Sequence, residues 1–281
     1  MCNNYMYILI LFFSFALSFL YNKNYELSLF IGLLILYSIT IINYDYKYLF
    51  IPIILYVISI ITKFNKKNIN IINFVLIYYG FLSIMELLGH KYAMHCDQNS
   101  FLYKYVKNIP YINEEYLTTC KTHTQHHSEV EPDMTLNGNK YRKSLFMGWD
   151  IFIPLVITAF VGGLVSKKIS KFNISYKYLL LISIISAFAW EYLWNKVHTK
   201  MHDYEIEYSI NEGPYDENLF NLDIFKDILL DNHRKHHIQK GEKKGNYGVI
   251  ILGADEWFGL NNKIIDNEEY CKNNSNDKIC K

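Results

Sequence analysis

Proline, paired cysteine and net charge are what this sequence has least of. Only 5 prolines occur in 281 residues, so little in the chain breaks a helix. Its 5 cysteines (Cys2, Cys96, Cys120, Cys271 and Cys280) are odd in number and contain no CxxC pair. That argues against a zinc ribbon and a disulfide scaffold, although Cys271 and Cys280 stand close enough in a polar tail to bond each other. The formal net charge is +1, which leaves no basic field to bind nucleic acid. Internal repeats and low-complexity domains are absent as well.

Apolar residues, in contrast, are abundant and clumped. Hydrophobic residues make up 51% of the chain and aromatics 17%. A soluble protein spreads its apolar residues into faces, whereas here they form blocks, and a bilayer crossing takes roughly 20 apolar residues. Six runs read as candidate membrane helices: Tyr5–Tyr21, Leu27–Ile42, the shorter Tyr48–Ile61, Ile71–Leu88, Leu145–Val165 and Tyr178–Trp194. The first lacks the basic n-region of a signal peptide and reads as an uncleaved helix. The expected fold class is therefore all-α, a multi-pass membrane helical bundle with a histidine-rich polar cap.

All 10 histidines fall in four short clusters: His90 and His95; His123, His126 and His127; His198 and His202; His233, His236 and His237. Counting crossings along the runs, all four emerge on one side of the membrane. Lys63, Lys66, Lys67, Lys167, Lys168 and Lys171 lie in short loops on the other side, where the positive-inside rule would place the cytosol.

Each spacing has a geometric meaning. On an α-helix, residues three and four apart share one face, so both HxxHH boxes present three imidazoles to one side, and His198 and His202 sit one turn apart. His90 and His95 diverge by about 140° on a regular helix. Either the helix ends near His90 or the two rings reach different metals. Ten imidazoles exceed the coordination of any single ion, so two metals with four or five ligands each is the natural reading. One HxxHH box would be unremarkable on a surface helix. Two boxes, two further pairs and no stray histidine are not explained that way.

The carboxylates add detail. Glu191, Asn195, His198 and His202 follow one helical face, and Glu86 lies one turn before His90. Ionisable residues inside membrane helices are costly and usually functional. Glu86, Glu191 and Asn195 are candidates to orient ligands from behind, the carboxylates by accepting the outer ring N–H; hydrogen bonding to a Tyr or Trp between helices is the plainer reading. Asp203, Asp231 and Asp255 flank the last clusters and are weaker candidates of the same kind. No Glu-x-x-His pair occurs, so the soluble carboxylate-bridged di-iron bundle does not apply.

In order and spacing, the four clusters resemble the fatty acid hydroxylase superfamily, which includes sterol desaturases and oxidases, and most closely its fatty acid 2-hydroxylase branch. Asn232-His233-Arg234-Lys235-His236-His237, then Asn246-Tyr247-Gly248, then Asp255-Glu256-Trp257-Phe258-Gly259 resemble that family's last box and the segment after it. His90-Lys91-Tyr92-Ala93-Met94-His95 is similar to the first box of bacterial carotenoid hydroxylases. The likeness runs from about Glu86 to Gly259. It departs at Asn232, where the branch often has another histidine, and at Leu260, where it has threonine.

The resemblance implies a di-metal centre with all ten histidines as ligands: two iron ions, zinc being a possible replacement in a purified sample, with O2 as co-substrate. It implies a lipid substrate drawn from the bilayer, a fatty acyl chain before a sterol or carotenoid, and hydroxylation or the adjacent desaturation. It further implies a separate electron donor such as a cytochrome b5 or ferredoxin system, and an endoplasmic reticulum or equivalent internal membrane with the site facing the cytosol. The corresponding domain plan is N-terminal membrane helices of unassigned role over 1–70, a hydroxylase-like catalytic domain over 71–260 and a polar tail over 261–281. A histidine-rich membrane metal transporter is the competing class; it would place its ligands along the middle of several spans.

Overall fold

The structure, a computed structural model, describes residues 6–44, 50–61, 63–95, 100–110, 112–131, 134–135, 147–198, 201–202, 223–239, 244–262, 268–273 and 275. Among these residues the chain is helical and contains no strand. In order come α1 (Met6–Asn22), α2 (Tyr25–Tyr44), α3 (Phe50–Ile61) and α4 (Lys66–Leu88), which continues into a π-helical turn π1 (Gly89–Met94). Then follow α5 (Phe101–Val106), α6 (Ile112–Glu129), α7 (Trp149–Ser170) and α8 (Tyr176–Leu193), the last running into a second π turn, π2 (Trp194–His198). After α9 (Asp223–Ile238) come the short helices α10 (Ala254–Trp257) and α11 (Glu268–Asn273).

Among the described residues, four helices are long and apolar enough to cross a membrane: Tyr25–Tyr44, Lys66–Met94, Asp150–Ser170 and Tyr176–His198. The six apolar runs thus resolve into four full spans and two shorter apolar helices, Leu9–Leu20 and Ile51–Ile61. Their exposed surface suits lipid: Ile153, Ile157, Leu181 and Ile185 on α7 and α8 all face outward. In a bilayer a backbone must satisfy its own hydrogen bonds, which a continuous helix does.

The contacts divide the chain into two units that do not follow chain order. One comprises Met1–Ile84, Leu155–Ser186 and Gly253–Leu260; the other comprises Met85–Pro154, Ala187–Leu252 and Asn261–Lys281. The first three helices fall in the same unit as most of α4 and α8.

Within the first unit, α10 is pinned among the N-terminal helices. The Trp257 indole donates to Thr40 Oγ1 at 2.8 Å, the Ala254 N–H donates to Ser83 Oγ at 2.9 Å, and Tyr7 donates to the Glu256 carboxylate. Asp255 is buried in this unit, while all ten histidines belong to the other.

At the lysine-rich helix ends, Glu26 takes Lys66 at 3.0 Å and Lys171 at 3.5 Å. Here Tyr25 also donates to the Ile169 carbonyl at 3.2 Å.

Helix α7 carries two adjacent glycines where side chains press in. A Cβ on Gly162 would lie 2.5 Å from Phe81 Cδ1, and one on Gly163 would run into the Leu179 side chain. Small residues let membrane helices approach this closely. Leu179 is fully buried against Phe74 and Ile174 and has little room to move. Gly163→Val should therefore destabilise the protein by about 1–3 kcal/mol through overpacking. Thermal unfolding in detergent measures this, and an unchanged midpoint would contradict the packing described.

Candidate metal centre

The histidine-bearing unit assembles its site from helix ends. Helix α6 begins with Glu114 and Glu115, whose negative charge suits the helix N-terminus, and ends with the neutral rings of His126 and His127. Helix α9 likewise closes on Lys235, His236 and His237. Helix α6 lies along π1, with Tyr116 donating to the Tyr92 carbonyl at 2.7 Å.

All ten predicted histidines come together, in two groups of five. His90, His95, His123, His127 and His236 form one; His126, His198, His202, His233 and His237 form the other. In each group the donor atoms lie within 4.8 Å of one another, and each group could hold a metal ion. The boxes interleave. His123 and His127 serve the first group while His126 crosses to the second; His233 and His237 serve the second while His236 crosses to the first. Each group thus draws a pair from the end of a membrane span, an i, i+4 pair from one box and the i+3 histidine of the other. The two groups abut, the His127 and His237 ring centroids being 4.2 Å apart.

For the His90–His95 spacing the first alternative holds: the regular α-helix ends at Leu88, just before His90, and the chain continues as the π turn π1. Both rings belong to the same group because π1 widens the helix. The His95 N–H bonds to the His90 carbonyl at 3.2 Å, the i→i+5 bond of a π turn, and the rings stack with centroids 5.2 Å apart. The turn at π2 delivers His198 in the same way, with all five of its residues buried.

The nitrogen geometry fits a cation. His90 Nδ1 donates to the Tyr247 carbonyl at 2.6 Å, His236 Nδ1 to that of Gly245 at 2.7 Å and His202 Nδ1 to that of Met134 at 2.9 Å. A neutral ring with its proton on Nδ1 turns a lone pair outward at Nε2. Those Nε2 atoms crowd together: His90 and His123 at 3.0 Å, His95 and His236 at 3.0 Å, His198 and His233 at 3.0 Å, and His202 and His233 at 3.2 Å. Two nitrogens at right angles around an ion with bonds near 2.1 Å stand about 3.0 Å apart. Both nitrogens of buried His126, and Nδ1 of His233 and His237, have no hydrogen-bond partner. Lone pairs packed this closely repel unless a positive ion lies among them.

Burial and neighbouring imidazoles push His123, His126, His127, His233, His236 and His237 well below the ordinary histidine range. Burial lowers His95 too, and takes His202 down to about 4. These rings are neutral at physiological pH, the state a metal requires.

The carboxylates do other work. Glu86 accepts from the backbone N–H groups of Val249 at 2.5 Å and Ile250 at 2.7 Å, with Ile251 at 3.2 Å from its second oxygen. Glu191 is fully buried, with neither oxygen hydrogen-bonded. Asn195 bonds both the N–H of Met147 at 2.8 Å and its carbonyl at 2.9 Å, fixing the chain just before α7. Asp231 pairs with Lys235 at 2.6 Å on the surface, and Asp203 lies outside the described residues.

Sequence reasoning missed the orienting groups. Three are backbone carbonyls, which no side chain announces. Another is Lys244, whose ammonium nitrogen lies 3.4 Å from His95 Nδ1 and 3.5 Å from His127 Nδ1 and whose pKa burial lowers to about 8. Asn232, where the resemblance would put a histidine, donates to the Gly248 carbonyl at 2.6 Å and accepts from Asn246 at 2.9 Å. It ties down the segment that supplies the Gly245 and Tyr247 carbonyls.

No family model matches the chain, and neither does any curated protein or solved structure.

His90 and His198 belong to different histidine groups, each of which could hold an ion, so His90→Ala and His198→Ala strike different candidate sites. Each should lower the bound divalent ion from about two to about one per chain, and the double variant should bind none. Metal analysis of the purified proteins reads this, and equal loss of both ions in each single variant would contradict two separate groups.

Acid should also unfold the protein early. Unfolded histidines take up protons near 6.5, whereas folded His202 does so at about 4, and burial likewise holds His123 and His236 well below the ordinary value. The unfolded state therefore binds more protons as pH falls, and stability that is complete above about 6.5 drains away through about 4. A thermal midpoint that stays flat from pH 7 to 5 would refute this.

Proposed function

We propose that this chain is a membrane oxygenase related to the fatty acid hydroxylase superfamily, hydroxylating a lipid C–H bond with O2 and externally supplied electrons. The observation that carries the reading is the pair of abutting five-imidazole groups at the ends of membrane-spanning helices. Nitrogen ligands of this kind suit iron, and two adjacent ions suit O2 chemistry better than a structural role, for which one four-ligand zinc suffices. When bound, the iron pair supplies the redox chemistry that activates O2 toward an unreactive C–H bond.

The chain's own residues do the rest. His90, His95, His123, His127 and His236 hold one ion; His126, His198, His202, His233 and His237 hold the other. The carbonyls of Tyr247, Gly245 and Met134 fix ring tautomers so that Nε2 faces the ion. Burial of His126, His233 and His236 keeps bulk water from the ligands. Substrate enters from the bilayer, with a fatty acyl chain the first choice, a sterol second and a carotenoid third. The electron donor is a separate protein, and an internal membrane such as the endoplasmic reticulum is the expected setting.

A metal transporter would need ligands through the middle of its spans. Here His90 and His198 stand at span ends, and the remaining histidines lie outside the spans.

The test compares wild type with a His236→Ala/His237→Ala variant in a eukaryotic host lacking its own fatty acid 2-hydroxylase. Lipid mass spectrometry should find one added oxygen in ceramide or free fatty acid with wild type only. Correctly inserted wild type that leaves acyl lipids, sterols and added carotenoids unchanged, and that carries fewer than two ions, would sink the proposal.

A further inference from the structure

The candidate spans Lys66–Met94 and Tyr176–His198 each run from a lysine-rich end to a histidine end. Lys63, Lys66 and Lys67 open the first; Lys167, Lys168 and Lys171 stand just ahead of the second. These lysine ends meet within one unit, where Lys66 and Lys171 share the Glu26 carboxylate and the Lys171 ammonium lies 4.2 Å above the Tyr25 ring. The connections here are very short, residues 62–65 and 171–175. Short lysine-rich loops are held on the cytosolic side. A segment that crosses the membrane then puts its histidine end on the far side. That side has basic residues of its own, among them Lys104, Lys107 and Lys121, so charge alone does not decide.

Cysteine supplies an independent observation. Cys120 and Cys271 are each disulfide-bonded. Both lie in the histidine-bearing unit. Cys120 stands on α6 one turn before His123, buried, with its sulfur 3.4 Å from the Ala93 carbonyl inside π1. Disulfides persist in oxidising compartments and are rare in the cytosol, where thiols are kept reduced. A structural disulfide beside the metal ligands therefore points the same way as the lysine-rich ends.

We infer that the histidine groups face the oxidising, non-cytosolic side of their membrane, opposite to the placement that the family resemblance implies. If the oxygenase reading holds, on which this one consequence rests, its electron donor works from that side. A soluble cytosolic reductase chain would not reach the ligands.

The chain carries its own reporters. Asn273-Asn274-Ser275 and Asn173-Ile174-Ser175 are both N-glycosylation acceptor sequences, and Asn273 and Asn173 are both exposed. The first follows the histidine region and the second lies in the lysine-side loop.

The full chain, with a C-terminal epitope, is inserted into sealed microsomes and treated with protease from outside. The expected results are a protected epitope and a glycan that Asn273→Gln removes and Asn173→Gln leaves. Before reduction, no more than three of the 5 cysteines should take up a maleimide in denatured membranes, and all should do so afterwards. Loss of the epitope from sealed vesicles, a glycan on Asn173, or full labelling without reduction would each overturn the inference. None of these readouts needs metal or activity, so their failure would leave the oxygenase proposal standing, and failure of that proposal would leave sidedness untouched.

Discussion

The mutual repulsion of imidazole lone pairs governs the histidine-bearing unit. Nε2 atoms 3.0 Å apart in neutral, buried rings are unfavourable neighbours wherever both present lone pairs, since water cannot solvate them. Most nearby features make sense as means of holding that arrangement until a cation relieves it. The carbonyls of Tyr247, Gly245 and Met134 remove the Nδ1 protons from contention. Lys244 closes over the outer nitrogens of His95 and His127, and Trp194 packs against His198 with centroids 5.0 Å apart. A cation bound by either group would therefore be linked thermodynamically to the folding of this region.

The π turns are the backbone's share of the same arrangement. A regular α-helix continued from His90 to His95 would present one ring to the group and carry the other round to the side. One π turn brings residues five apart onto one face at the cost of poorer ladder geometry. Both long spans that deliver ligands end in this way. An i, i+5 ligand pair at the end of an apolar run is thus a sequence signal for a π turn, and His90-Lys91-Tyr92-Ala93-Met94-His95 carries it.

Much of the rest was legible to the extent that side chains carried it. The four clusters, the apolar runs and the convergence of all ten histidines follow from periodicity and composition. The assignment of each ring to its group does not, because i, i+3 and i+4 occupy one arc and either group can claim any of the three. Of the six runs, four are long and apolar enough among the described residues to cross a membrane, and the described parts of the first and third are shorter apolar helices. The orienting groups were invisible because they are backbone carbonyls supplied by a loop. The carboxylates invited the opposite error. An acid one turn before a ligand suggested a ring N–H partner, yet Glu86 accepts from Val249, Ile250 and Ile251 instead.

That arrangement explains why an acid is placed there. Glu86 and His90 lie one helical turn apart, and both bind the same stretch of chain. Glu86 holds its N–H groups from Val249 to Ile251, and His90 holds its carbonyl at Tyr247. Opposite ends of a short peptide are thus clamped to a single helix, by an acceptor at one point and a donor at the other. An amide at position 86 would offer one acceptor oxygen where the carboxylate offers two, and would leave a buried N–H group out of place. An alanine would leave three backbone donors without this partner. The orientation of His90 is set less by its own helix than by the loop, and the loop is set in place by the carboxylate one turn below.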